Sequence, residues 1–262
     1  MTHEERRIYL IRELLAEDAR YAGAAIPDGA AEQEKLLRAL MNVRPPRPIG
    51  AEFLKVQDEY LRAERDLRGV VDAEAMPALP SDPRMALWQG DITTLKADAI
   101  VNAANSALLG CFYPLHGCID NIVHTRSGVQ LRLLCSEIMA KQGHEEPAGR
   151  AKITPAFNLP SRYILHTVGP IISGRVTQRD RELLASCYRS CLELAAANGC
   201  RSVAFCCIST GEFHFPNELA AQIAVDTVRD FLDAHDGLRV IFDVYKDLDL
   251  EIYRNLLKAG KC

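Results

Sequence analysis

Two thiols and an imidazole fall within eight residues at Cys111-Phe-Tyr-Pro-Leu-His116-Gly-Cys118, and a carboxylate, Asp120, follows two positions later. Pro114 and Gly117 interrupt any regular element, so the stretch is a loop. Three soft-to-borderline ligands with no fourth nearby is the ligand count of a catalytic zinc site, which keeps one position open. The C-x4-H-x-C spacing matches no common structural zinc ribbon or finger. On these residues alone the stretch reads equally as a metal site or as two loop thiols beside an incidental histidine.

A second loop with chemical potential is Ser209-Thr-Gly-Glu-Phe213, which comes after the apolar run Ser202–Ile208 and precedes a helical pattern. Small residues and Gly211 let backbone N–H groups face an anion such as a diphosphate. The same residues also suit a plain strand-to-helix turn. The chain has no G-x-G-x-x-G and no G-x-x-x-x-G-K-[ST], so neither a dinucleotide fingerprint nor a P-loop is present.

The elements that must hold these loops are read from periodicity. Thr2 with Glu5 has the form of a capping box and opens a helix over residues 2 to 21. Further helices are expected over 30 to 42 and 51 to 68, separated by Arg44-Pro-Pro-Arg-Pro-Ile-Gly50 and succeeded by the Pro-rich stretch 76 to 83. Residues 1–75 therefore form a small helical extension, too short for a reliable core of its own and expected to pack on the rest of the chain. From residue 84 the grammar changes. Strands are expected at 85–88, 98–102, 149–154, 162–168, 202–208 and 239–244. They alternate with helices over 119–141, 178–198, 217–235 and 247–258. That alternation gives an α/β sheet covered on both faces, with ligands at the carboxyl ends of strands. There is no internal repeat.

Composition sets further bounds. The 262 residues are 48% hydrophobic and 25% charged, with a net charge of −4, which argues against nucleic acid and anionic membranes as partners. No apolar run approaches the roughly 18 residues needed to span a membrane. Nine cysteines, an odd number, behind an N-terminus without signal-peptide character point to a reducing, cytoplasmic compartment. Cys135, Cys187, Cys191, Cys200, Cys206, Cys207 and Cys262 read as small buried apolar residues. Cys187 and Cys191, four apart on a helix, also have the spacing of a metal pair.

Four segments in order resemble the motif series of macrodomains, which bind ADP-ribose. They are Trp88-Gln-Gly-Asp-Ile-Thr93, Ala97-Asp-Ala-Ile-Val-Asn-Ala-Ala-Asn105-Ser, Tyr163-Ile-Leu-His-Thr-Val-Gly-Pro170 and Ile208-Ser-Thr-Gly211. The resemblance covers roughly residues 84–262 and implies a three-layer α/β/α sandwich around a mixed sheet. It implies that Asp91 and Ile92 meet the adenine, and that Ser209, Thr210, Gly211, Glu212 and Phe213 cradle the diphosphate. Asn105 would then face the distal ribose, with Cys118, Ile119 and Asp120 beside it. Asn102 is expected to be structural, holding its loop.

One departure narrows the resemblance. After Ser106-Ala-Leu-Leu-Gly110, where macrodomain hydrolases usually carry a Gly-rich run and Val-Asp-Gly, this chain has Cys111 to Cys118 and then Asp120. With the helical extension, that pattern resembles the zinc-dependent macrodomain hydrolases of microbes, associated with a sirtuin class that modifies a lipoyl-carrier protein of the glycine-cleavage type. The resemblance implies Zn²⁺ on Cys111, His116 and Cys118, Asp120 as general base and Asn105 as ribose-positioning group. The expected reaction is hydrolysis of mono-ADP-ribose from Asp or Glu of a modified protein. A non-catalytic ADP-ribose reader and an O-acetyl-ADP-ribose deacetylase share the pocket and are the alternatives. His124 and His214 are weighed as additional site residues against capping or packing. Phe215 is expected against the ribose and Tyr245 against the adenine face.

Overall fold

The computed structural model describes residues 1–258; Cys262 lies outside the described residues. Helices α1 (His3–Ala16), α2 (Ala30–Val43) and α3 (Ala51–Arg68) come first. The Thr2 capping box forms: Thr2 Oγ1 accepts from Glu5 N at 3.1 Å and Glu5 Oε2 from Thr2 N at 2.7 Å. Helix α1 stops at Ala16, short of the expected residue 21, because Asp18 turns back to accept from Arg20 N and starts a separate 3₁₀ turn, Ala19–Tyr21.

The three helices share an apolar cluster. Its buried members include Leu10, Ile11, Leu37, Phe53 and Val56, and Val129 from beyond the extension. The extension thus closes its core only against a residue of the larger α/β unit. A two-residue strand β1 (Val71–Asp72) leads on and pairs in parallel with β3 (Leu95–Lys96).

The main sheet has six strands in the order β2-β8-β7-β4-β6-β5. These are β2 (Met85–Gln89), β4 (Ala99–Ala103), β5 (Ala151–Pro155), β6 (Tyr163–Thr167), β7 (Ser202–Phe205) and β8 (Arg239–Val244). All pairs are parallel except β5 with β6. The helices α4 (Ile119–Ser127), α5 (Val129–Gln142), α6 (Gln178–Ala197), α7 (Asn217–Ala234) and α8 (Asp247–Lys258) complete an α/β/α sandwich. Central strands β7 and β4 are buried at almost every position, as parallel strands covered on both faces must be. Because β2, β8, β7 and β4 run in parallel, their carboxyl ends share one edge of the sheet. No helix among the described residues is long and apolar enough to cross a membrane.

Two further elements differ from the sequence expectation. The single helix over 119–141 is two helices, broken at Gly128 with φ of 102°. A Cβ there would lie 2.6 Å from Gln57 Nε2, and Gln57 Oε1 accepts from Val129 N at 2.9 Å. The break therefore lets α3 reach the start of α5. Strand β7 ends at Phe205 rather than Ile208, and residues 206 to 208 already belong to the site edge.

Candidate active site

A cleft of about 940 Å³ opens at the carboxyl edge of β2, β8, β7 and β4. Asp91, Ile92, Asn105, Cys111, His116, Cys118, Ile119, Asp120 and the whole segment Ser209–Phe213 lie on its wall. Each comes from a strand end, the loop after it or the first turn of the helix that follows, so the sheet brings together residues up to 122 positions apart in sequence.

At one end, Asp91 comes just after β2. Its Oδ1 accepts from Thr93 N at 2.9 Å and Thr93 Oγ1 at 2.6 Å, an Asx turn that leaves Oδ2 for other contacts. Tyr245, 78% exposed, comes just after β8 on the same wall. Gly90 N donates to Val244 O at 3.1 Å and keeps the two strand ends together. Between them Asp243 is buried and its Oδ1 has no partner among the described residues; burial pushes its carboxyl well above the usual range, with the Asp91 charge adding to it. Asp243 was not among the residues expected from sequence. The signal was present, a carboxylate inside the apolar run Arg239–Val244.

In the middle, Ser209–Phe213 curls after β7. Ser209 and His214 both take positive φ, 66° and 56°. Phe215 N donates to Ser209 O at 2.9 Å and His214 N to Gly211 O at 3.0 Å, closing the curl. The N–H groups of Ser209, Gly211, Glu212 and Phe213 have no protein acceptor among the described residues, as an anion cradle requires. Gly169 touches this loop: a Cβ there would lie 2.0 Å from Ser209 Oγ. Phe215 is 1% exposed in the main core, so it does not reach the ribose side. Its side chain anchors the loop from below, which an apolar residue after a strained turn does at no desolvation cost. His214 is exposed and is not part of the cleft wall.

At the other end the Cys-His-Cys loop meets Asp120. Cys111 Sγ and His116 Nδ1 are 3.7 Å apart, and these two with Cys118 Sγ all lie within 4.8 Å of one another. Burial pushes the Cys118 thiol up to about 12. In the metal-free chain it is a neutral thiol, and a cation must displace its proton. Two half-buried thiols and an imidazole nitrogen converging on one point suit a borderline-soft divalent ion. His116 Nε2 lies 3.6 Å from Glu212 Oε1, so a carboxylate from the Ser209–Phe213 loop faces the ring nitrogen turned away from Cys111.

Asp120 is 5% exposed in the first turn of α4, and its two oxygens are held by two asparagines. Asn102 Nδ2 donates to Oδ1 at 2.8 Å, and Asn105 Nδ2 donates to Oδ2 at 3.0 Å. Burial raises the Asp120 carboxyl to about 6; the Asn102 hydrogen bond and the Arg132 charge oppose that rise. His124 Nε2 lies 3.7 Å from Asp120 Oδ1, but burial holds this imidazole well below its usual pKa, next to His166 and Arg132. The contact is therefore not an ion pair.

Asn102, expected to be structural, is thus a direct partner of Asp120. It continues to His166 Nδ1 at 3.2 Å, and His166 Nε2 meets Thr154 Oγ1 at 2.9 Å. With Asn102 donating, the His166 proton sits on Nε2. His166 is neutral, since burial takes its pKa down to about 4. This polar chain inside strands β4, β5 and β6 was visible only as a histidine in the apolar run Tyr163–Val168. His124, Cys135 and His166 also bring their ligand atoms within 4.8 Å of one another, but both His166 nitrogens are already engaged.

Gly110 opens this loop with φ of 77°, and a Cβ there would sit 2.7 Å from the buried His124 ring. Gly110→Ala combines a strained backbone with that collision. It is expected to cost roughly 1–3 kcal/mol and lower Tm by several degrees. A variant melting with the wild type would show that the loop can repack.

The Macro domain family signature matches residues 101–224. A protein-ADP-ribose hydrolase of Treponema medium is 54% identical over 261 residues, covering 98% of this chain and 100% of that one. A protein-ADP-ribose hydrolase of Staphylococcus aureus strain MSSA476 is 46% identical, covering 97% and 95%. Among solved structures, a Trypanosoma brucei macrodomain in complex with ADP-ribose superposes with a TM-score of 0.65 at 29% identity, covering 84% of this chain and 94% of that one. The chain belongs to the macrodomain family, among the relatives named protein-ADP-ribose hydrolases.

Proposed function

We propose that this chain is a zinc-dependent hydrolase that removes mono-ADP-ribose from Asp or Glu side chains of a modified protein. The modified protein would be a lipoyl-carrier of the glycine-cleavage type, and the reaction would reverse sirtuin-type ADP-ribosylation. The activity for which the relatives are named and the ADP-ribose held by the trypanosomal relative support the ligand and the reaction class. The single observation that carries the catalytic reading is Asp120. It is a buried carboxylate fixed by two amides at the end of the cleft where the three metal-type donors converge.

In this reading residues 84–262 hold the reaction and residues 1–75 are a helical extension. Asp91 and Ile92 receive the adenine, and the N–H groups of Ser209–Phe213 receive the diphosphate. The distal ribose then lies between Asn105 and the stretch Cys118, Ile119 and Asp120. Both N–H bonds of Asn105 are spent on Gly110 O and Asp120 Oδ2, and its Oδ1 accepts from Ala107 N. Toward a sugar hydroxyl it offers the remaining lone pair of Oδ1.

Cys111, His116 and Cys118 would hold Zn²⁺ as two thiolates and a neutral imidazole. When bound, the ion supplies Lewis-acid stabilisation of oxygen at the reacting sugar or water. Asp120 takes one proton from the attacking water as its oxygen bonds to ribose C1. The bond from C1 to the carboxyl oxygen of the modified side chain breaks, and that oxygen leaves with the electron pair as a carboxylate. A carboxylate leaving group needs no acid at pH 7, since its pKa is about 4. Asn102 and Asn105 aim the Asp120 oxygens, and His166 fixes Asn102.

The assay is release of free ADP-ribose from a carrier modified on an acidic residue. Binding without release would make the chain a reader. Turnover of O-acetyl-ADP-ribose alone would make it a small-molecule deacetylase. The rim also bears on the carrier. Phe112, Tyr113 and Leu115 are 40%, 70% and 43% exposed on the loop beside the distal ribose, where a tethered protein must lie. Tyr113→Ala is expected to raise KM for the modified protein several-fold and to leave free ADP-ribose binding within about twofold. Equal changes in both would remove this rim from carrier recognition.

A further inference from the structure

The only element of the N-terminal extension that reaches the cleft wall among the described residues is α2, through Arg38. It bonds to the backbone of the Cys-His-Cys loop at two places. Leu115 N donates to Asn42 Oδ1 at 3.0 Å, and Arg38 Nη2 donates to His116 O at 2.6 Å. These two groups bracket the candidate ligand His116. The same Arg38 nitrogen donates to Asn121 Oδ1 at 3.0 Å. Asn121 Nδ2 in turn donates to Cys111 O at 3.3 Å and to Tyr113 O at 3.0 Å. One guanidinium therefore holds three loop carbonyls, one directly and two through an amide.

The loop needs holding. Leu115 has φ of 60°, a conformation that an L residue with a branched side chain leaves unless its surroundings fix it. A relaxation of Leu115 to negative φ would swing the next residue, His116, away from Cys111 and Cys118. The N–H of this strained residue is the one that Asn42 captures.

The clamp is anchored at its other end. Asn42 Nδ2 donates to Thr125 Oγ1 at 2.8 Å, and Thr125 Oγ1 donates to Asn121 O at 2.8 Å. Arg132 of α5 caps the last turn of α2: its Nη1 reaches the carbonyls of Met41, Asn42 and Arg44 at 3.1, 2.8 and 2.6 Å. Its Nε donates to Leu109 O at 2.6 Å, and its guanidinium lies 4.2 Å over the Phe112 ring. The loop is thereby tied at both ends to the helix that positions its centre.

We propose that α2 is part of the active site, with Arg38 and Asn42 as positioning residues that preorganise Cys111, His116 and Cys118 for a metal ion. The metal part rests on the zinc-dependent reading of the proposed function. The preorganisation itself is a property of the metal-free chain.

The test uses the full chain, stripped of metal, in wild-type form and as Arg38→Ala, Arg38→Lys and Asn42→Ala. Zinc affinity is read by competition with a chromophoric chelator, and exchange of the Leu115 amide by NMR or mass spectrometry. Melting curves confirm folding. Arg38→Ala is expected to weaken zinc about 10- to 100-fold, the usual effect of losing a partner that orients ligands. Arg38→Lys, which keeps a cationic donor, is expected between the two. Asn42→Ala is expected to speed Leu115 exchange at least tenfold, and to melt a few degrees lower because a buried side chain loses two hydrogen bonds, with amides of the central strands accelerated far less than Leu115. If Arg38→Ala does not fold, Arg38→Lys and Asn42→Ala carry the comparison. A folded Arg38→Ala with wild-type zinc affinity overturns the positioning role while the zinc reading stands. A wild-type chain that takes up no zinc removes the zinc reading instead. The clamp is then decided by Leu115 exchange, and an unchanged rate in Asn42→Ala overturns it.

Discussion

Cys118→Ser is expected to lose bound zinc and ADP-ribosyl hydrolysis together, while still binding free ADP-ribose. Only three protein donors converge on this point among the described residues, so none is redundant. Structural zinc sites with four donors are worth about 10–16 kcal/mol near neutral pH. One thiolate in such a set is therefore worth roughly 3–4 kcal/mol, a loss of about 100- to 1000-fold in affinity. The substitution is nearly isosteric and lies in a loop that Asn121 and α2 hold through backbone groups. The fold and the far end of the cleft should survive it. Asp91, Ile92 and the Ser209–Phe213 curl come from other strands and share no hydrogen bond with Cys118 in the structure. The measurements are metal content by plasma emission, ADP-ribose binding by calorimetry and hydrolysis before and after chelation. Full turnover by the metal-free wild type would remove zinc from the reaction, and retained zinc in Cys118→Ser would remove Cys118 from the ligand set.

The parts of this site that sequence made legible are those whose residue type fixes their chemistry. The C-x4-H-x-C spacing puts three donors and Asp120 in one loop but leaves a metal site and two incidental loop thiols evenly matched, whereas the strand-loop-helix punctuation around Asn105 and Ser209 placed both loops at one sheet edge. The six-stranded sheet and its helices are readable from apolar runs separated by turn residues. What stayed hidden depends on distance in three dimensions. Nothing in the spacing of Asn102 distinguishes a residue that holds its own loop from one that bonds a carboxylate 18 positions later. His166 lies 64 positions from Asn102 and meets it only because β4 and β6 pair in register at those two residues. Gly128 sits in a helical pattern with no proline to mark a stop, and only the approach of Gln57 explains the break.

The extension shows the same limit from the other side. Its helices were readable from Thr2, from the Pro-rich breaks and from 3.6-residue periodicity, yet their relation to the site was not. Arg38 and Asn42 sit one helical turn apart, which looks like an ordinary polar face. Their significance comes from a left-handed Leu115 some 73 positions later, and positive φ at a non-glycine residue cannot be read from sequence. Four of the five described non-glycine residues with positive φ, Leu108, Leu115, Ser209 and His214, lie in or beside the two loops that face the cleft. Strain of this kind persists where surrounding bonds over-determine the backbone, as they do at ligand clamps.

Asp120→Ala is expected to slow hydrolysis by about 10²- to 10⁴-fold, the range that a positioned general base supplies. ADP-ribose affinity should change by no more than a few-fold, because Asp91, Ile92 and the Ser209–Phe213 curl, proposed to hold the adenine and the diphosphate, are untouched. The amides that held the carboxylate keep other partners: Asn105 Nδ2 still meets Gly110 O and Asn102 Nδ2 still meets His166 Nδ1. One N–H of each amide loses its acceptor, and that of Asn102 is buried, so melting curves accompany the rates: a loss of rate at near wild-type Tm reports chemistry and not collapse of the network. The kinetic signature is a fall in kcat with KM near the wild-type value, since the lost interaction acts in the transition state. Zinc content should stay at the wild-type level, which separates this variant from Cys118→Ser. A KM increase at constant kcat would make Asp120 a binding residue. An unchanged rate would move the base to another group and leave the Asn102–Asp120–Asn105 arrangement as a brace for the first turn of α4.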